Sequence, residues 1–286
     1  MRRQAGNFPL TSGAVRCARS LSSSADRAPP SIRFATLCLA ELYRPTGEGP
    51  RPALIYLHGG GWALGGIDTH DSVCTHIAQQ SGWTVISAGY RLAPEHKFPI
   101  PIFDCWAAVQ AAHAGAEALG IDASRIAVGG DSAGGNLSAV ILLLARDYAL
   151  PLAAQVLIYP VTDYLPGRES YEFDYLLSRA AMESFWNLYL NHSSESTLPL
   201  AAPIRAESLR GLPPCLLLTA EYDPLRDEGE EYASRLADAD VQVTAKRYRG
   251  MIHGFVSLPA AVPQSQDALS QIAEFLRHSA TLPGGK

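Results

Sequence analysis

The sequence has no paired cysteines at redox or metal-ligand spacing, no basic excess, and no apolar run near the roughly 20 residues that a membrane span requires. Its five cysteines, at positions 17, 38, 74, 105 and 215, are scattered and odd in number, which argues against a disulfide framework. Free thiols, several of them buried, fit a reducing compartment, and a cytoplasmic location is expected. Cys215, inside Cys-Leu-Leu-Leu-Thr, reads as a strand-core residue. With a net charge of −5, the chain lacks the electrostatic footprint of a nucleic-acid binder. Neither a nucleic-acid partner nor an integral membrane segment is expected.

What is present is material for a large core: 286 residues, 47% hydrophobic and 18% charged, enough for one large α/β domain. The charge is unevenly spread. Residues 1–33 hold six arginines against the single acid Asp26, a local +5 that leaves −10 on residues 34–286. Basic, serine-rich and acid-poor composition is shared by organellar transit peptides and by plain N-terminal extensions. No apolar core of a secretory signal follows the arginines. The expected division is an N-terminal extension over 1–33 and a folded domain over 34–286.

From residue 53 onward, short apolar runs alternate with longer helical patterns, the signature of stacked βαβ units. Strands are expected over 53–58, 84–88, 125–129, 155–159, 215–219 and 242–247, with an antiparallel edge pair near 32–37 and 39–44. Several are apolar on both faces, as in a parallel sheet covered by helices on each side. Helices are expected over 69–80, 101–119, 134–146, 179–190, 226–238 and 263–278. In the last of these, Leu269, Ile272, Phe275 and Leu276 fall on one stripe. About 55 residues separate Tyr159 from Cys215, far more than an ordinary crossover needs. Residues 161–205 within that stretch carry Tyr164, Tyr171, Phe173, Tyr175, Phe185, Trp186 and Tyr189. Helix packing against the sheet accounts for part of that load. A lid inserted over a substrate pocket accounts for its length, position and aromatic content together.

Gly130-Asp-Ser-Ala-Gly134 matches GxSxG, with a buried strand running into it and a helical pattern leaving it. A sharp strand-to-helix turn of this kind exposes a nucleophilic Ser132, and the helix start favours negative charge there. Upstream, His58-Gly-Gly-Gly61-Trp62 follows a strand. The amides of Gly60 and Gly61, with that of Ala133 after the nucleophile, could donate to the oxyanion of a tetrahedral intermediate. A phosphate loop would end in Lys-Ser/Thr, and a dinucleotide site needs GxGxxG plus a later acid; neither pattern fits. His58 precedes the serine, so its expected role is a structural hydrogen bond that holds the loop.

In this fold the base follows the acid, which follows the nucleophile. His253, in Gly250-Met-Ile-His-Gly-Phe255, lies beyond a strand end and before the last helix. Asp223 stands 91 residues after Ser132 and 30 before His253. Glu221 and Asp227 compete with it on spacing alone, and Asp223 could equally serve as N-cap to the next helix with Pro224 at its first position. Glu221 reads as a group that braces the loop.

Taken together, His58-Gly-Gly-Gly61-Trp62, Gly89-Tyr-Arg-Leu-Ala-Pro-Glu95, Gly130-Asp-Ser-Ala-Gly-Gly135, Asp223-Pro-Leu225 with Asp227-Glu228, and His253-Gly-Phe255 resemble the hormone-sensitive lipase family of α/β-hydrolases, which includes many bacterial carboxylesterases. The likeness covers roughly residues 40–280. It implies an α/β-hydrolase fold with a mostly parallel central sheet flanked by helices and a helical lid. It assigns the nucleophile to Ser132, the acid to Asp223, the base to His253 and the oxyanion donors to Gly60, Gly61 and Ala133. It makes the Tyr90–Glu95 segment a scaffold for the oxyanion loop. The reaction implied is hydrolysis of short- to medium-chain carboxylic esters, a small-molecule substrate class, with no cofactor and no metal. Amidase, lactonase or acyltransferase chemistry on the same scaffold is the near alternative, and a non-catalytic binding protein, which would be expected to lack a triad member, the distant one. Relatives begin with helices that contribute to the lid, whereas only about 50 residues precede the strand at Ala53 here. The lid is therefore expected to rest mainly on 161–205. The final strand and helix offer a surface for a homodimer.

Overall fold

The computed structural model describes residues 31–34, 38–47, 49–164 and 167–279. Of the expected N-terminal extension, residues 1–30 lie outside the described residues, as does Leu37 at the end of the first edge strand; residues 31–33 belong to β1.

Eight strands form one sheet: β1 (Ser31–Phe34), β2 (Cys38–Tyr43), β3 (Arg51–Leu57), β4 (Thr84–Ala88), β5 (Ile121–Asp131), β6 (Gln155–Ile158), β7 (Cys215–Tyr222) and β8 (Val243–Ile252). Their spatial order is β1-β2-β4-β3-β5-β6-β7-β8. β1 and β2 pair antiparallel at one edge, and every pair from β4 across to β8 is parallel. Alternation along the central strands explains the two-sided burial. Ala53, Ile55 and Leu57 of β3 face one apolar layer, while Leu54 and Tyr56 face the other.

The helices complete both layers. α1 (Asp71–Ser81) and α7 (Pro263–Ser279) cover one face through Val73, Cys74 and Ile77 and through Leu269, Ile272 and Leu276. α2 (Ile100–Ala114), the short α3 (Ala116–Leu119), α4 (Ala133–Asp147) and α6 (Arg226–Asp238) cover the other. The helix expected over 101–119 is therefore two. Gly115 ends α2 by donating its amide to Ala111 O at 2.9 Å, and a new turn starts behind it. β5 begins four residues earlier than hydrophobicity suggests, because Arg51 of β3 pairs with Ile121 across a register shift. β8 likewise runs past Arg247 to Ile252, following β7 to its end.

After β6 the chain leaves the sheet for a segment built of 3-10 turns and α5 (Arg179–Tyr189). Ser178 caps α5, its hydroxyl accepting from the Ala181 amide at 3.1 Å. Met182, Trp186 and Tyr189, at helical spacing, form its buried stripe. That stripe lands on Trp62: the Tyr189 ring stacks on it at 4.3 Å and the Trp186 ring sits 4.6 Å away. Helix α5 is thus fastened over the loop that follows β3. No helix among the described residues is long and apolar enough to cross a membrane.

Candidate active site

Because β3, β5, β7 and β8 run parallel, their carboxyl ends share one edge of the sheet, and there the chain places His58–Gly61, Ser132, Asp223 and His253. Ser132 is the single residue between β5 and α4 and adopts φ 54, ψ −119, a backbone state L-residues rarely enter. The surroundings hold it there. The Ser132 amide donates to Ile158 O at 2.9 Å, and Ser132 O accepts from Asn136 at 3.0 Å and Val161 at 3.3 Å. A Cβ at Gly130 or Gly134 would overlap Leu57 O, so both glycines let α4 press directly against the end of β3.

His253 bridges the nucleophile and the acid. Ser132 Oγ lies 3.0 Å from His253 Nε2, and His253 Nδ1 lies 2.7 Å from Asp223 Oδ2. The Asp223 side chain is fully buried, the His253 side chain only 12% exposed. With Nδ1–H donating to the carboxylate, Nε2 is left to accept the serine proton. The other Asp223 oxygen accepts from the Leu225 amide at 2.9 Å, which fixes the carboxylate plane. Asp223 therefore braces the turn into α6 as well as facing the histidine, but it is not the N-cap: α6 starts at Arg226, behind Leu225. Asp227 points elsewhere, accepting from the Ser170 amide at 2.9 Å and pairing with Arg226 at 2.8 Å. Glu221 accepts from the Gly250 amide at 2.6 Å, tying the acid loop to the strand that carries His253.

Gly60 and Gly61 lie on the loop that follows β3, and Ala133, the first residue of α4, comes directly after Ser132. Trp62 anchors the loop, its carbonyl accepting from the Ala93 amide at 2.9 Å. Tyr90 stacks on His58 at 4.3 Å and donates its hydroxyl to His58 O at 2.8 Å. The His58 ring bonds back to Gly59 O at 2.8 Å, and burial pushes its pKa down to about 4, so it is neutral at physiological pH. Phe185 of α5 packs against Gly61, and Leu176 of the same inserted segment against Gly254, beside His253.

Two carboxylates of the site were not singled out from the sequence. Asp131, next to the nucleophile, accepts from the Gly59 amide at 3.1 Å and from the Tyr56 hydroxyl at 2.8 Å. Its place inside Gly130-Asp-Ser was the available signal, but its partners lie 72 and 75 residues away and only the sheet brings them together. Glu228 is completely buried beneath the inserted segment, accepting from the Thr162 amide at 2.7 Å, the Asp163 amide at 3.2 Å and the Tyr171 hydroxyl at 3.0 Å. Burial pushes its carboxyl up to about 8 against the pull of those amides.

Comparison with known proteins agrees with this arrangement. The α/β-hydrolase fold family matches residues 54–257. The chain is 44% identical over 224 residues to the carboxylesterase NlhH of Mycobacterium tuberculosis, covering 76% of this chain and 70% of that one. It is 43% identical over 230 residues to the carboxylic ester hydrolase LipN of the same organism, covering 77% of this chain but 61% of LipN. Among solved structures, the esterase of Pyrobaculum calidifontis superposes with a TM-score of 0.82 at 43% identity, over 86% of this chain and 82% of that one. Fold, strand-end geometry and sequence agree: the chain belongs to the α/β-hydrolase fold family.

Proposed function

We propose that this protein is a carboxylesterase of the hormone-sensitive lipase type, hydrolysing short- to medium-chain acyl esters through an acyl-enzyme. The observation that carries the reading is the continuous contact from Ser132 Oγ to His253 Nε2 at 3.0 Å and from His253 Nδ1 to Asp223 at 2.7 Å. In the proposed cycle His253 removes the serine proton as Oγ attacks the ester carbonyl. The amides of Gly60, Gly61 and Ala133 receive the charge that develops on the carbonyl oxygen. His253 then gives its proton to the departing alcohol, and the acyl group remains on Ser132. Water, losing a proton to the same histidine, releases the carboxylic acid and restores the serine.

The inserted segment over 161–205 acts as the lid. Phe185 against Gly61 and Leu176 against Gly254 stand on the loops that flank the serine, and their closeness supports a limit on acyl length. The names of the similar proteins, a carboxylesterase, a carboxylic ester hydrolase and an esterase, support ester rather than amide substrates. The working domain runs from β1 to residue 286, with the residues before β1 an extension to it, and β8 with α7 forms the face for a homodimer; the setting is the cytoplasm.

The test is a panel of p-nitrophenyl esters of increasing acyl length, run beside amides and lactones. A burst of nitrophenol and an acyl adduct on Ser132 are expected. Hydrolysis by a Ser132→Ala protein at the wild-type rate would overturn the mechanism, and faster turnover of amides or lactones would reassign the substrate.

A further inference from the structure

Behind the oxyanion loop lies a second histidine–carboxylate pair that the proposed cycle does not use. His70 is buried, and its Nε2 stands 3.1 Å from Asp131 Oδ1, the same oxygen that receives the Gly59 amide at 3.1 Å and the Tyr56 hydroxyl at 2.8 Å. On its other side, His70 Nδ1 lies 2.8 Å from Thr69 Oγ1 and 3.3 Å from Gly66 O. The Thr69 hydroxyl donates to Gly66 O at 2.7 Å and accepts from the Gly66 amide at 3.0 Å. Its one proton is thereby used, so Nδ1 faces acceptors; Nε2 faces the Asp131 carboxylate at 3.1 Å and also lies 3.4 Å from the Gly59 amide, whose shorter bond, at 3.1 Å, goes to Asp131. Because the nearest group at each nitrogen is an oxygen acceptor, and the one at Nε2 is a carboxylate, the ring is best satisfied when both nitrogens carry protons.

The other groups around Asp131 supply no positive charge. Burial pushes the Tyr56 and Tyr159 hydroxyls and the Cys74 thiol up, so all three stay protonated and neutral, and it pushes His58 down to about 4. Burial would by itself lower the His70 pKa, but the charge and hydrogen bond of Asp131 outweigh it and leave the value raised. Burial would likewise raise Asp131, and the His70 charge with its hydrogen bonds reverses that and holds the carboxyl below its usual range. A buried carboxylate without a counter-charge would take up a proton or be strongly destabilising.

We infer that His70 is a positioning residue for ester hydrolysis: as an imidazolium it keeps Asp131 ionised, and Asp131 in turn holds the Gly59 amide and sets the direction of the Gly60–Gly61 turn. Asp131 lies immediately before Ser132, so one carboxylate fixes the oxyanion loop relative to the nucleophile. The pair touches no part of the substrate. Its effect is on an interaction made in the transition state, which registers in kcat and leaves KM nearly unchanged.

The kinetic arm rests on the ester-hydrolase reading; the spectroscopic arm does not. In the full-length protein labelled with 15N-histidine, the His70 ring, identified in the wild type by its contact with Thr69, should carry protons on both nitrogens at pH 7. In Asp131→Asn the same ring should become neutral. For His70→Gln and Asp131→Asn, kcat should fall about tenfold to a hundredfold with KM within about threefold. The double variant should lose no more than the worse single, since the two act as one unit. Wild-type kcat should decline as pH rises through the raised His70 pKa, and this limb should be absent in His70→Gln. A neutral His70 at pH 7 in the wild type overturns the inference even if the variants do not fold. So does unchanged kcat in folded variants. If the wild type hydrolyses no ester while His70 is doubly protonated, the functional reading fails and the charge assignment stands.

Discussion

Replacing Gly61 by alanine sets two identifiable costs against each other. Gly61 has φ +59, where an L-residue is disfavoured by roughly 1–2 kcal/mol. The added methyl would also fall within the Phe185 ring, and overpacking of this kind typically costs about 1–3 kcal/mol. Phe185 is half-buried on α5 and can give at its exposed side, whereas the backbone of the loop after β3 is held by the bond from the Ala93 amide to Trp62 O. The expected result for Gly61→Ala is a destabilisation of about 2–5 kcal/mol and, if the Gly61 amide turns away from the reacting oxygen, a loss of about a hundredfold in kcat. Adding Phe185→Ala removes the steric part alone. The double variant should therefore regain part of both stability and kcat relative to Gly61→Ala, leaving only the cost of the positive φ. Urea unfolding and steady-state hydrolysis of a p-nitrophenyl ester measure both quantities on the same preparations. A double variant no better than Gly61→Ala would refute the contact as the source of the effect, and wild-type kcat in Gly61→Ala would show that Phe185 gives way while the Gly61 amide keeps its place.

Asp223→Asn should lower kcat by about four orders of magnitude, because an amide facing Nδ1 favours the wrong tautomer of His253; a loss below tenfold, measured by the same assay, would reopen the choice of acid. Glu221→Gln keeps an acceptor for the Gly250 amide and should leave kcat within about threefold. Trp186→Ala removes the fully buried anchor of α5 and should cost about 3–5 kcal/mol in urea unfolding, with acyl-length preference broadened as the segment loosens. Glu228, raised to about 8 from an ordinary 4.5, binds a proton in the folded state where the unfolded chain has released it. Its contribution therefore erodes stability as pH rises from about 4.5 to 8, by an amount of order 5 kcal/mol, and not beyond. Thermal unfolding of Glu228→Gln should show that slope flattened; an identical pH dependence in both proteins would exclude Glu228 as its source.

Much of this architecture is determined locally. The two-sided burial of β3, β6, β7 and residues 126–130 of β5 follows from their mostly apolar runs, and such strands stack as a parallel sheet only when helices cover both faces. A serine caught between a buried strand and a helix, with glycines at 130 and 134, has few other conformations, because side chains there would strike Leu57 O. Chain order and a glycine-bracketed loop were enough to mark His253. Other features depend on contacts that no local pattern encodes. Spacing left Glu221, Asp223 and Asp227 as competing acids. The pairing of β7 with β8 decides among them, setting Asp223 beside His253 while Glu221 ties to Gly250 and Asp227 turns to Ser170. Gly115 splits a helix that hydrophobicity alone carries through to Leu119. The pair of His70 and Asp131, 61 residues apart, exists only because parallel pairing of β3 with β5 draws the loop after one strand onto the turn after the other. Side-chain type and periodicity determine which segments bury and how they turn. Which charges meet inside is a matter of register between distant strands, and that is decided only when the whole sheet closes.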